Sequence, residues 1–466
     1  MNRLNKLTLV ILMIAGVLAL ANRGLGAETA VSATQLHDEA AQAFLAREGI
    51  LEQITAVAND NFGQSAIITR PGGQASDRFG YAVALDGDTA VVGAIRANNA
   101  NGNDRGAAHV FTRSGSAWVH QQQLVADDGG FLDAFGWSVA LDGDTIAVSA
   151  REAYVDGVAY QGAVYVFTRS GATWSQQQKL TASDGEEFDN FGDAVALEGD
   201  TLLIGSSIHV IRPGAVYVFT RSGATWSQQQ KLTAGDPRAG NWFGRAIALD
   251  GETALIGAVY SDGLSRGGAY LFTSNEGVWS QQHKLMPNDS ASSDLFGWSV
   301  ALAGDTAVIG ASDAVVDSNE EQGAAYIFTR SGATWSQQQK LTASDGAAYD
   351  RFGRSVALDG NMVIIGAEQH AIWGNHSDRG AAYLFSYSPG DGDDAWSEQQ
   401  KLTASNGAVG DRFGYAVALE GDIALVGAYR ANVGGNNIQG AAYFFERGYE
   451  PPEPTDFLYL PVVTRP

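Results

Sequence analysis

The sequence predicts an all-β chain, a seven-bladed β-propeller of four-stranded antiparallel blades, closed by an N-terminal strand that completes the last blade. Three observations predict it. The dipeptide Phe-Gly recurs seven times, at Phe79, Phe135, Phe191, Phe243, Phe296, Phe352 and Phe413, and periods near 50 residues mark propellers or solenoids. Each interval resolves into four short apolar segments joined by Gly turns. A segment of the fourth kind stands alone before the first repeat, and the last repeat lacks one.

The first strand of each repeat is of the type FGWSVAL, with Val139 and Leu141 alternating against Ser138 and Ala140. An acid-Gly pair such as Asp86-Gly87 or Asp142-Gly143 then reads as the hairpin turn that needs positive φ. The second strand, as in Thr89–Ala94, is continuously apolar and is expected to be buried on both faces. The third carries aromatics two apart, Tyr165 and Phe167 for example, with His109 in the Tyr place of the first repeat. The fourth is WSQQQKL, its Trp recurring from Trp118 to Trp396. Phe62 stands 17 residues before Phe79, where the other repeats hold Trp, and Phe62–Arg70 aligns on Trp174–Ala182. After Phe445 the chain runs into ERGYEPPEP, whose prolines oppose a sheet interior. A linear solenoid has no use for the displaced segment. A ring uses it to remove an exposed edge.

Composition narrows the rest. The net charge of −23 repels phosphate backbones, so nucleic acid is excluded as a partner. The absence of Cys removes disulfides and thiolate chemistry. Arg3 and Lys6 precede the apolar run Leu7–Ala21, which reads as a secretory signal in 1–27, cut after Ala21, Ala27 or Ala33. A membrane anchor is the alternative, but a span needs roughly 20 apolar residues. Residues 28–61 read as a helical segment or linker, or a pro-segment. The propeller is expected over 62–447 and a Pro-rich tail over 448–466. The chain is then secreted or on the cell surface, a monomer without a membrane span once the signal is removed.

Repeat lengths vary mainly in the connection from second to third strand, so one face of the ring collects the variation, and loops on a rigid scaffold carry binding. The longest connection holds His370, Trp373, Asn375 and His376, with Trp373 placed to stack on a sugar or peptide or to pack over the rim. These four are the candidate ligand-binding residues. The Asp two residues before each Phe, such as Asp133 and Asp189, reads as a local turn former, and Asn241 stands in for it once. The Asn99–Asp104 stretch and the Asp391, Asp393, Asp394 cluster carry too few ligands for a firm metal site. No GxSxG elbow, HExxH pair or phosphate loop is present, and neither a metal nor a catalytic residue is assigned.

Phe-Gly, the strand end Val-Gly-Ala and the GAAYVF-type strand, in that order seven times, resemble the FG-GAP repeat family. The KLTASDG and TRSGATWSQQQ blocks are most similar to its bacterial secreted subgroup. The family includes the propeller at the head of integrin α chains. The resemblance implies the fold above and an extracellular role. Integrin-type blades hold Ca²⁺ in a DxDxDG loop, but turns such as Leu141–Thr145 and Leu197–Thr201 stand here, so family calcium binding does not carry over. The Pro of the GAP marker is also missing, with Ala94-Ile95 and Ala428-Tyr429 in its place. The expectation is a non-catalytic binding or adhesion module, without cofactor, for an extracellular protein or glycan. The rivals are a carbohydrate-active enzyme at the mouth of the central channel and a structural surface component.

Overall fold

The computed structural model describes residues 61–449, except 100–101, 103, 208–211, 262–265, 290, 369–378 and 389–394. The expected signal in 1–27, the N-terminal segment before 61, nearly all of the tail, the four candidates His370, Trp373, Asn375 and His376, and Asp391, Asp393 and Asp394 lie outside the described residues. Those described are arranged in seven four-stranded sheets. They fall in two compact units, Gln64–Phe445 and a smaller one that holds residues 61–63 and 446–449. In the smaller unit, the Gly448 N–H donates to Asn61 O at 2.8 Å, and the Arg447 guanidinium lies over the Phe62 ring.

Six sheets take their four strands in sequence, as in blade one: Phe79–Asp86, Thr89–Ala94, Ala107–Ser114 and Ala117–Leu124. The seventh orders Phe62–Ile68 beside Ala441–Arg447, then Ile423–Ala428 and Phe413–Glu420. The first strand among the described residues therefore closes the last blade. Within that strand Phe62 and Ile68 are buried, while Ile67 is 42% exposed because alternate residues face opposite sides.

The second strands are buried along nearly their whole length, as in Thr145–Ala150. Between blades lie the cores, where Val91, Val110 and Leu124 of blade one meet Phe135, Val148 and Tyr165 of blade two. Each Phe of a Phe-Gly pair packs tilted or edge-on against its own blade's aromatic pair, Phe135 lying 5.6 Å from Tyr165 and 6.1 Å from Phe167. Across the seam between first and last blades, Trp118 stacks flat on Phe444 at 4.0 Å.

The polar residues of the repeat bind blades together. The Gln122 side chain exchanges two hydrogen bonds with the Trp174 backbone, as Gln178 does with Trp226, which accounts for the Gln run of the fourth strand. Tyr165 and Lys179 both donate to Asp128 in the preceding loop, at 2.8 and 2.6 Å. These hydrogen bonds overcome burial and hold Asp128 below the usual carboxylate range. The same triad recurs around Asp184, Asp236 and Asp345.

Two expectations need correction. The hairpin turn is not acid-Gly but Gly-Asp: Asp142 pairs with Thr145, so Gly143 and Asp144 form the loop. Gly143, at φ 54°, takes the positive angle of a type II′ turn. The freed acid reaches the neighbouring blade, where Asp86 accepts from Gly143 N–H at 2.5 Å and Asp142 from Gly199 N–H at 2.5 Å. Blade three also departs from pattern, its first strand being only Val195–Glu198. Ser149 stands in blade two where other second strands hold Gly, and its side chain crowds Gly192.

Candidate functional site

Three sequence positions per blade converge on the axis of the ring. The first is the residue after Phe-Gly: Tyr81, Trp137, Asp193, Arg245, Trp298, Arg354 and Tyr415. Their side chains touch around the channel. Tyr81 lies 4.8 Å from Trp137 and 4.9 Å from Tyr415, Arg354 covers both Tyr415 and Trp298, and Arg245 covers Trp298 at 4.5 Å. Arg151 sits 4.0 Å over Trp137 and pairs with the buried Asp193 at 2.7 Å. Cations stack on aromatic faces around the channel at this level.

The second position follows the second strand, with Arg151, Ser312, Glu368 and Tyr429 among its residues. The third is the residue before Phe-Gly: Arg78, Ala134, Asn190, Trp242, Leu295, Arg351 and Arg412. All seven have left-handed backbones, with φ between 52° for Asn190 and 59° for Ala134. That conformation costs an L-residue about 1–2 kcal/mol. It is stabilised by bonds to the neighbouring connection, such as Arg351 N–H to Glu321 O at 3.0 Å. Arg78, Trp242, Leu295, Arg351 and Arg412 reach the mouth from this position, while Ala134 and Asn190 do not line it.

Together these positions line a cavity of ≈ 360 Å³, at the low end of the roughly 300–1,000 Å³ of small-molecule pockets. Arg78, Arg351, Arg354 and Arg412 line it with Asp313, Glu368 and six aromatics, among them Trp242, Tyr260 and Tyr429. First strands begin and second strands end here, so the cavity lies on the face of the variable connections. Glu368 is 1% exposed and is shared by Arg354 at 3.0 Å and Arg412 at 3.2 Å. Burial opposes the charge of Arg354, but Glu368 and the surrounding phenols hold its guanidinium above the ordinary value. Burial, ahead of Arg351 and the Ser312 hydroxyl, pushes the Asp313 carboxyl up. Burial, with Tyr415 second, raises the Tyr81 phenol well above its usual range.

A family model for the FG-GAP repeat matches residues 62–111, 118–167, 174–219, 226–272, 279–328, 335–385 and 396–445. The chain belongs to the FG-GAP repeat family. Each matched segment opens on a fourth strand and closes on the next blade's third, so the first opens on Phe62. The FG-GAP markers themselves have a steric basis in this ring. A Cβ on Gly93, in the second strand of blade one, would lie 2.1 Å from the Gly136 carbonyl oxygen of blade two. Gly136 has φ 92°, and a Cβ there would lie 2.5 Å from Ala107 O. The two glycines let neighbouring blades approach backbone to backbone beside the channel.

The FG-GAP aspartates two residues before Phe are spent on turns. Asp133 accepts from Gly130 N–H at 2.5 Å and Asp189 from Glu186 N–H at 2.7 Å. Reading the sequence for apolar period missed the channel positions. The signal was a column that does not repeat: between invariant Phe-Gly and the recurring Val-Ala-Leu, Tyr, Trp, Asp and Arg alternate. A second unforeseen group is aromatic and exposed. Tyr154 and Tyr160 project from the connection of blade two, flanked by Phe131 and Phe188, and Tyr160 stacks on Phe188 at 5.3 Å.

Proposed function

We propose that this FG-GAP propeller is a non-catalytic extracellular binding or adhesion module that takes its ligand at the channel mouth. One observation supports the reading above the others: arginines and aromatic rings converge in a small cavity on the variable face of a strongly acidic chain. Ion pairs and ring contacts hold Arg351, Arg354 and Arg412, and preorganised groups bind with the least loss of freedom. Export is proposed from the charged start and the apolar run Leu7–Ala21.

The rival, a carbohydrate-active enzyme at the same mouth, draws on Asp313, whose raised carboxyl suits a general acid. Glycoside hydrolysis also needs a second carboxylate free to act. Glu368, the other acid of the cavity, is held between Arg354 and Arg412. This favours binding over turnover.

Glycan and peptide arrays probed with the full chain and with Trp242→Ala test the reading. Ala134 holds the same backbone position at φ 59°, so the variant is expected to fold. Ligand retention lost in the variant is the expected result. Turnover of a glycan without stable binding, or binding unchanged by the substitution, overturns the proposal.

A further inference from the structure

We infer that the ligand of the channel mouth is an anionic sugar, a glycan residue carrying a carboxylate or sulfate; the inference rests on the mouth being the binding site. The charges of the cavity do not balance. Four arginines line it against two carboxylates, Asp313 and Glu368. Glu368 is already shared by Arg354 and Arg412 and lies 4.0 Å from Arg351. Arg351 is also held by Glu321 at 2.8 Å. Arg78 stands in no ion pair among the described residues. Partly buried cations in excess favour an anion that completes their pairing, and a guanidinium presents a fork that fits a carboxylate or sulfate.

The acidic exterior does not cancel this. At physiological ionic strength, charges beyond about 8 Å are largely screened, so an anion at the mouth responds to the arginines around it.

The other half of the lining identifies a sugar. Trp242 and Tyr260 meet edge to face at 4.8 Å beside the arginines. Tyr415 and Tyr429 lie 4.4 Å apart. A pyranose has apolar C–H faces and a polar edge, and an acidic pyranose adds the anion to that edge. Walls that alternate aromatic rings and guanidinium groups match both parts at once. An Asp side chain alone would engage the arginines and leave the aromatic walls uncovered. The cavity of ≈ 360 Å³ suits a short terminal or side residue of a glycan and not a folded partner.

Calorimetric titration of the full chain tests this with four probes: trigalacturonate, its methyl ester, a sulfated disaccharide and an Asp-containing peptide. Trigalacturonate or the sulfated disaccharide is expected to bind, and which of them does distinguishes carboxylate from sulfate. Esterification should weaken trigalacturonate at least tenfold, and Arg78→Ala should weaken the bound anion by about tenfold. Ala134 shows that this backbone position accepts Ala. Equal binding of acid and ester overturns the anion, while the mouth itself still stands if Trp242→Ala abolishes both. Tighter binding of the peptide than of either sugar overturns the sugar, as does binding of neither. Binding unaffected by both Arg78→Ala and Trp242→Ala removes the mouth as the site.

Discussion

Loss of the closing strand is the sharpest test of how the ring is held. Deletion of residues 1–68 removes Phe62–Ile68 from the outer edge of the last blade. Phe62 is 3% exposed and Ile68 6%. Burying a large apolar side chain contributes about 1.5–3 kcal/mol, so the two together contribute about 3–6 kcal/mol. A domain is stable by only about 5–15 kcal/mol. Deletion also bares the edge of Ala441–Arg447, a template for pairing between molecules. The truncated chain is expected to melt well below the full chain and to elute as aggregates in size-exclusion chromatography. Point variants separate burial from edge exposure. Ile68→Ala should cost about 2–5 kcal/mol by denaturant titration. Ile67→Ala, at a side chain 42% exposed, should stay within about 0.5 kcal/mol. Equal effects at 67 and 68, or a truncated monomer with unchanged melting, refute the reasoning.

Three further predictions follow from particular contacts. Gly93→Ala drives a Cβ into the Gly136 carbonyl, and the resulting separation of blades one and two should lower the melting temperature by several degrees, while Gly87→Ala, with nothing near its Cβ, tests backbone strain alone. Glu368→Ala leaves Arg354 and Arg412 without their shared carboxylate; breaking a buried pair costs about 3–5 kcal/mol, which equilibrium unfolding should register. His109 is held neutral by burial first, then by His120 and Arg70, with its pKa lowered to about 3. Its unfolded value is near 6.5, so the unfolded chain binds more protons between the two values, and stability is lost as pH falls from about 6.5 toward 3. His109→Phe, which keeps an aromatic ring against Phe79, should flatten the fall in melting temperature between pH 7 and 4; an unchanged slope rejects that account.

The ring was legible because its signals are periodic. Phe-Gly, the aromatic pair and the Trp strand each occupy a fixed place in the blade, and Phe62–Ile68 betrayed closure by matching a strand it does not follow. Turn register was misread by one residue, since Asp142-Gly143 and Gly143-Asp144 look alike as turn dipeptides. Only the pairing of Asp142 with Thr145 distinguishes them. The channel mouth was not legible for the opposite reason. Its side chains come from five of the seven blades, and no sequence window brings Arg78 beside Tyr429. Nor do Arg78, Leu295 and Trp242 share any preference for left-handed backbone; at Arg78 the neighbouring connection fixes the N–H through Ile438 O.

That shared backbone conformation separates recognition from folding. Arg, Ala, Asn, Trp and Leu all occupy the position before Phe with almost the same φ, so the sheets are indifferent to which residue stands there. Five blades thus offer a replaceable letter at the rim. A propeller of this kind can change what it holds by single substitutions, without re-solving the packing that keeps the circle shut.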